Sequence, residues 1–160
     1  MRSPTRRHSG TAFALVLTGA LVMCTSGNPF GPEFDRPVDP ELAAAGREIF
    51  RFDTFGNEAF WTDTLRLHES IQGGVSPTTA LAVGLKVDVD ALPAAVRAAI
   101  LAGEVDLEDP ATTVTLLKLN AVVGVRGTVE EIGGRDTLTR VGITCALCHS
   151  TVDNSFAPGI

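Results

Sequence analysis

The chain is poor in sulfur and imidazole: its 160 residues include three cysteines, two methionines and three histidines. Methionine is confined to Met1 and Met23, so no thioether side chain follows Cys24. Base is also scarce, with 13 Lys and Arg against 19 Asp and Glu and a net charge of −6. That balance argues against nucleic acid as a partner and favours basic or neutral docking surfaces on any partner protein. The apolar run from Ala12 to Met23 is too short to span a bilayer comfortably. Internal repeats and low-complexity tracts are absent, and composition alone does not choose a fold class.

The apolar run does suit an export signal. Arg2, Arg6 and Arg7 precede it without an acid, which is the charge order of a secretory leader ending near Ser26. Residues 1–26 are therefore set apart from the fold, and the mature protein is expected in the periplasm or beyond the cell. Leu21-Val22-Met23-Cys24 also carries the leucine and cysteine of a lipoprotein signal. On that alternative, Cys24 takes a lipid and supplies the only membrane attachment. Loss of the leader leaves ten bases against nineteen acids, a net of −9. About 135 mature residues can bury one sizeable core.

Cys145-Ala146-Leu147-Cys148-His149 is the most informative stretch. Thiols at i and i+3 fall on one side of a helical turn, where they can add to the two vinyl groups on one edge of a porphyrin. The histidine that follows then faces the iron. This is the attachment motif of a c-type haem, with Cys145 and Cys148 as thioether anchors and His149 as proximal axial ligand. With those two thiols committed and Cys24 lost or lipidated, none remains for a disulfide. Two other chemistries could use the motif. A thiol-disulfide exchange centre would leave His149 unexplained, and a zinc site would have to recruit His68 or carboxylates as further ligands.

Around the motif, the tail Ser155-Phe156-Ala157-Pro158-Gly159-Ile160 resembles the stretch after the haem motif in class I cytochromes c. The resemblance implies that the Pro158 carbonyl supports the N–H of His149. It also implies a distal methionine and a closing helix some tens of residues further on, so the chain is expected to be C-terminally incomplete. A complete chain would instead be similar to class II cytochromes such as cytochrome c′, with the motif near the C-terminus and an open distal position. A third possibility is a bis-histidine iron with His68 as distal ligand. The larger resemblance is to exported bacterial proteins with one cytochrome c domain behind a helical region. Gly46-Arg47-Glu48-Ile49-Phe50 through Gly56 also resembles the helix before the first haem of dihaem cytochrome c peroxidases, although no cysteine follows it here. These resemblances imply single-electron transfer with redox partners of the cell envelope, or alternatively a peroxidase-like or substrate-oxidising haem enzyme.

The pattern along the chain is mainly α with one β-hairpin. Residues 27–38, rich in Pro and Gly, read as a tether. Asp39-Pro40 caps a first helix running to Phe50, and a second is expected from Asn57 to Ile71 with Trp61, Leu65 and His68 on one face. Ser76-Pro77 starts a short helical segment, Leu92 to Leu101 forms a helix ended by Gly103, and Asp109-Pro110 caps another carrying Val114 and Leu117. Val122 to Val129 and Thr137 to Ile143 flank Gly133-Gly134 as a hairpin that delivers the chain to Cys145. Residues 39–140 thus form a helical region with a hairpin, and residues 141–160 the start of a cytochrome c-like haem domain. Ile49, Phe50, Phe52, Phe55, Phe60 and Trp61 are expected to form an aromatic core. Glu104, Asp106, Glu108 and Asp109 read as a solvated loop with a helix cap, and Glu130-Glu131 as a solvated pair near the turn.

Overall fold

The computed structural model describes residues 37–158 and 160. The chain divides into two compact units, Met1–Pro37 and Val38–Ile160, and every described element belongs to the second. The leader, Cys24, the tether as far as Arg36, and Gly159 lie outside the described residues.

Three of the described α-helices begin where the sequence supplies a side-chain cap. Asp39 Oδ1 accepts the Glu41 N–H at 2.8 Å and starts α1 (Pro40–Phe52) with proline in its first turn. Ser76 caps α3 (Pro77–Ala82) by accepting from the Thr79 N–H, and Asp109 caps α5 (Pro110–Lys118) by accepting from the Ala111 N–H. Between α3 and α5 come β1 (Lys86–Val87), a 3₁₀ turn (Val89–Ala91) and α4 (Ala94–Leu101). Helix α4 starts two residues later than the hydrophobic stripe suggests, because Pro93 occupies its N-cap. Leu92 still packs with Val96 and Ile100, forming a small cluster with Leu116 and Ala121.

The expected helix from Asn57 to Ile71 is two elements. A π-helical turn (Ala59–Thr64) is followed by α2 (Leu67–Gly74), with Arg66 between them at φ 53. A residue in the left-handed region cannot continue a helix, so the common face of Trp61, Leu65 and His68 is broken. Leu65 accordingly turns to solvent.

The hairpin joins β3 (Val125–Ile132) and β4 (Arg135–Ile143) through Gly133 and Gly134, both at positive φ. The preceding residues leave it: β2 (Val122–Val123) pairs with β1 instead, and Gly124 at φ +85 makes the corner. Within β4, Thr139 is the extra residue of a bulge between the pairs Thr128↔Arg140 and Val129↔Leu138. The bulge decides which side chains are buried. Leu138 and Val141 stand three apart, which would put them on opposite faces of a regular strand, yet both are buried against Val114 and Leu117 of α5 and Ile71 of α2.

The outer edge of β4 is covered by side chains rather than by a third strand. Thr62 Oγ1 donates to the Val141 carbonyl at 3.1 Å and accepts the Val141 N–H at 2.9 Å. Asn57 does the same at Ile143, donating from Nδ2 at 2.7 Å and accepting at Oδ1 at 2.9 Å, and Gln72 Oε1 accepts the Leu138 N–H. A hydrophobic edge is thereby closed to further pairing.

The expected aromatic core does not form. Ile49, Phe55 and Phe60 are each more than half exposed, and α1 buries none of its residues. The core is aliphatic because the hairpin and α5 present Val, Leu and Ile to one another, leaving the rings on the periphery.

Candidate haem attachment site

Strand β4 ends at Ile143 and leads through buried Thr144 into α6 (Ala146–His149), a single helical turn. Its orientation is fixed from three directions. Ala146 is fully buried, the Thr144 N–H donates to the Gly124 carbonyl at 3.0 Å, and Lys86 Nζ donates to the Leu147 carbonyl at 3.0 Å. Gly124 also lets α6 approach closely, since a Cβ there would fall 2.2 Å from Leu147 Cα and 2.3 Å from its nitrogen.

With Ala146 turned inward, Cys145, Cys148 and His149 are exposed. Both thiols are free. The His149 N–H donates to the Cys145 carbonyl at 3.3 Å, and Nδ1 of its ring lies 3.3 Å from the same oxygen. The Pro158 carbonyl, which the class I resemblance assigns to this histidine, is not its partner here, and Pro158 itself is exposed. The tail instead folds on itself, with the Ile160 N–H donating to the Ala157 carbonyl and the Ser155 N–H to Asp153 Oδ1. The Ser155 hydrogen bonds hold the Asp153 carboxyl below its ordinary range.

The donor set fits covalent attachment of a planar group. Two reduced, accessible thiols and an imidazole are carried by one turn whose backbone is braced from behind. Among the described residues, no three His, Cys, Asp or Glu side chains converge into a metal-ion cage. A porphyrin needs no such convergence, because its own nitrogens supply four of the iron ligands.

No family model, curated protein or solved structure matches the chain.

His68 lies on α2, which packs against α5, β4 and the π-helical turn. Its Nδ1 is buried without a hydrogen-bond partner, and its Nε2 is 3.8 Å from Glu69 Oε1. No hydrogen bond or ion pair among the described residues joins it to His149. The four acids of the 104–109 loop are exposed, and Asp106 and Asp109 are engaged by the backbone of Glu108 and Ala111. No helix among the described residues is long and apolar enough to cross a membrane.

Sequence reasoning missed the groups that aim the motif: Gly124, Lys86 and Asn57. Gly124 carried a faint signal as a glycine inside a β-branched run, which marks a bend or a close backbone approach. Lys86 and Asn57 act 61 and 86 residues away from their partners and carried none.

Proposed function

We propose that the protein is an exported carrier of single electrons with one covalently attached haem c. The observation that carries this reading is the Cys145-x-x-Cys148-His149 turn, presenting two free thiols and an imidazole to solvent from a braced backbone. Attachment would use Cys145 and Cys148, each S–H adding across one haem vinyl group. Sulfur bonds the carbon next to the ring, the hydrogen goes to the terminal carbon, and no electron is exchanged with an oxidant. His149 would ligate the iron through one ring nitrogen. The bound haem supplies a one-electron ferric/ferrous couple.

The chain's own residues suit that role. The brace on α6 restricts movement of the axial ligand, and the net charge of −9 left after loss of the leader favours redox partners of the cell envelope with basic docking surfaces. Arg2, Arg6, Arg7 and the apolar run to Met23 support export, where such maturation takes place, and Cys24 offers a lipid anchor on the lipoprotein reading of that leader. Pro158 would support His149 once the tail is drawn over the haem.

A second reading, a haem enzyme with an open distal position, is favoured by one observation. The described residues include no methionine, and His68 is their only histidine besides His149. An iron lacking a second strong protein ligand binds peroxide or another small molecule.

The test is expression with a c-type maturation system, followed by haem staining after denaturation. A stained band that vanishes in Cys145→Ala/Cys148→Ala is expected. An unstained parent would refute the assignment and return the thiol-exchange and zinc readings to the front. The absorption spectrum of a stained protein then separates carrier from enzyme: a six-coordinate ferrous iron indifferent to carbon monoxide marks the carrier.

A further inference from the structure

The turn before the π-helical segment is built from an unsuitable residue. The Asn57 N–H donates to the Thr54 carbonyl at 3.1 Å, closing a four-residue turn whose central residues, Phe55 and Gly56, have φ of 53° and 76°. Two positive φ values in succession are the signature of a type I′ turn, which favours Asn or Gly at its first central position. Phenylalanine there is strained. Burial does not compensate, because the side chain is 69 % exposed. Three other peripheral rings have partners. Phe52 lies beneath the Arg51 and Arg126 guanidiniums at 5.5 and 5.1 Å, and Phe60 meets Trp61 edge to face at 5.2 Å. Phe55 has no ring or cation contact among the described residues.

The turn is held at several points. Asn57 clasps both backbone groups of Ile143, two residues before Cys145, and the Phe55 N–H is fixed by Asp53 Oδ1 at 2.7 Å. Thr54 lies so close to Gly142 that a Cβ there would fall 2.6 Å from Thr54 Cγ2. A strained turn that carries an exposed aromatic ring is thus tied to Ile143, two residues before the first thiol. Strain of this kind gathers at ligand clamps.

We propose that Phe55 packs against the haem held by Cys145 and Cys148, covering part of the macrocycle on the side of the 54–57 turn. This rests on the haem assignment above. The ring gains in the loaded protein the apolar contact it lacks otherwise, and the clamp at Ile143 keeps it in place for that contact.

The test is Phe55→Gly in two backgrounds: the haem-loaded chain and the haem-free Cys145→Ala/Cys148→Ala chain. Glycine adopts positive φ without strain, so the haem-free Tm should stay level or rise. In the loaded protein Tm should fall, and the Soret circular dichroism, which responds to aromatic rings against the porphyrin, should lose amplitude. Phe55→Tyr should retain that signal. Ile132→Ala, at the far end of the hairpin, should leave it unmoved. An unchanged Soret signal in loaded Phe55→Gly overturns the proposal, as does an equal loss of Tm in both backgrounds. A parent that carries no covalent haem overturns the haem assignment and this inference together, so the two failures are distinct.

Discussion

Gly124→Ala should loosen the element that carries the motif, and Gly84→Ala provides the comparison that isolates the cause. Both glycines occupy the left-handed region, at φ +85 and +89. Alanine in that region costs about 1–2 kcal/mol through the clash of Cβ with its own backbone. At Gly84 nothing lies within 4 Å of the added atom. At Gly124 the atom would fall 2.2, 2.3 and 2.6 Å from Leu147 Cα, N and Cβ. Two of those are backbone atoms, so no rotamer change relieves the overlap, and α6 must move. Overpacking of this kind adds about 1–3 kcal/mol. The expected totals are therefore about 2–5 kcal/mol for Gly124→Ala and about 1–2 kcal/mol for Gly84→Ala.

The assay is thermal unfolding followed at 222 nm in the Cys145→Ala/Cys148→Ala background, which removes thiol chemistry and any group the thiols would hold. For a domain of this size, a loss of 1 kcal/mol lowers Tm by about 3–5 °C. Gly124→Ala should then lower Tm by about 6–25 °C, against about 3–10 °C for Gly84→Ala. Both substitutions reduce the entropy of the unfolded chain alike, so that effect cancels in the comparison. Equal losses would refute the close approach of Gly124 to Leu147 and the brace on α6 with it.

Further expectations concern the edge of β4 and the acid limb of stability. Thr62→Val keeps the shape of the side chain but leaves the N–H and C=O of fully buried Val141 unpaired, at a cost of about 1–3 kcal/mol by urea denaturation. Thr62→Ser should recover most of it. The Glu58 carboxyl is held below its ordinary value of 4.5, chiefly because Thr54 Oγ1 donates to it and then because its own backbone N–H and the charges of Arg140 and Arg126 favour the anion. A lowered folded value means that this stabilisation is complete above the ordinary value and disappears as pH falls through the lower one. Glu58→Gln should therefore flatten the fall of Tm on acidification, and an unchanged acid limb would refute the contact. Gly142→Ala, whose Cβ would meet Thr54 and Glu58 at 2.6–3.1 Å, should push the 54–58 turn from β4 and raise the Glu58 pKa toward its ordinary value by carrying the carboxyl away from Arg140 and Arg126, as a carboxyl titration by NMR would show.

Much of the fold was legible where short-range chemistry decides it. The Asp39-Pro40, Ser76-Pro77 and Asp109-Pro110 caps mark helix starts because a side-chain oxygen and a preset φ act within one turn. The Gly133-Gly134 corner was equally local. The errors fall where distant contacts override a local pattern. Apolar spacing from Asn57 to Ile71 runs on as though through one helix, but Thr62 and Asn57 are drawn to β4, and the chain breaks at Arg66. Val122 to Val129 reads as one strand, although Val122 and Val123 pair with Lys86 and Val87, some 35 residues earlier. The bulge at Thr139 conceals the alternation that would have placed Leu138 and Val141 on one face.

The site divides along the same line. On the proposed haem reading, Cys145, Cys148 and His149 are legible because thioether attachment and iron ligation would require those atoms within five consecutive residues. Their direction is not encoded there. Buried Ala146 turns the thiols outward only because Gly124 leaves room for Leu147 and Lys86 holds the Leu147 carbonyl. The five-residue motif carries the chemistry, while residues 20 to 60 positions upstream decide which way it faces. If the proposed haem is attached, substitutions at Gly124 or Lys86 should therefore alter its environment while leaving the capacity of the thiols to hold it, whereas substitutions at Cys145 and Cys148 should abolish attachment without unfolding the chain.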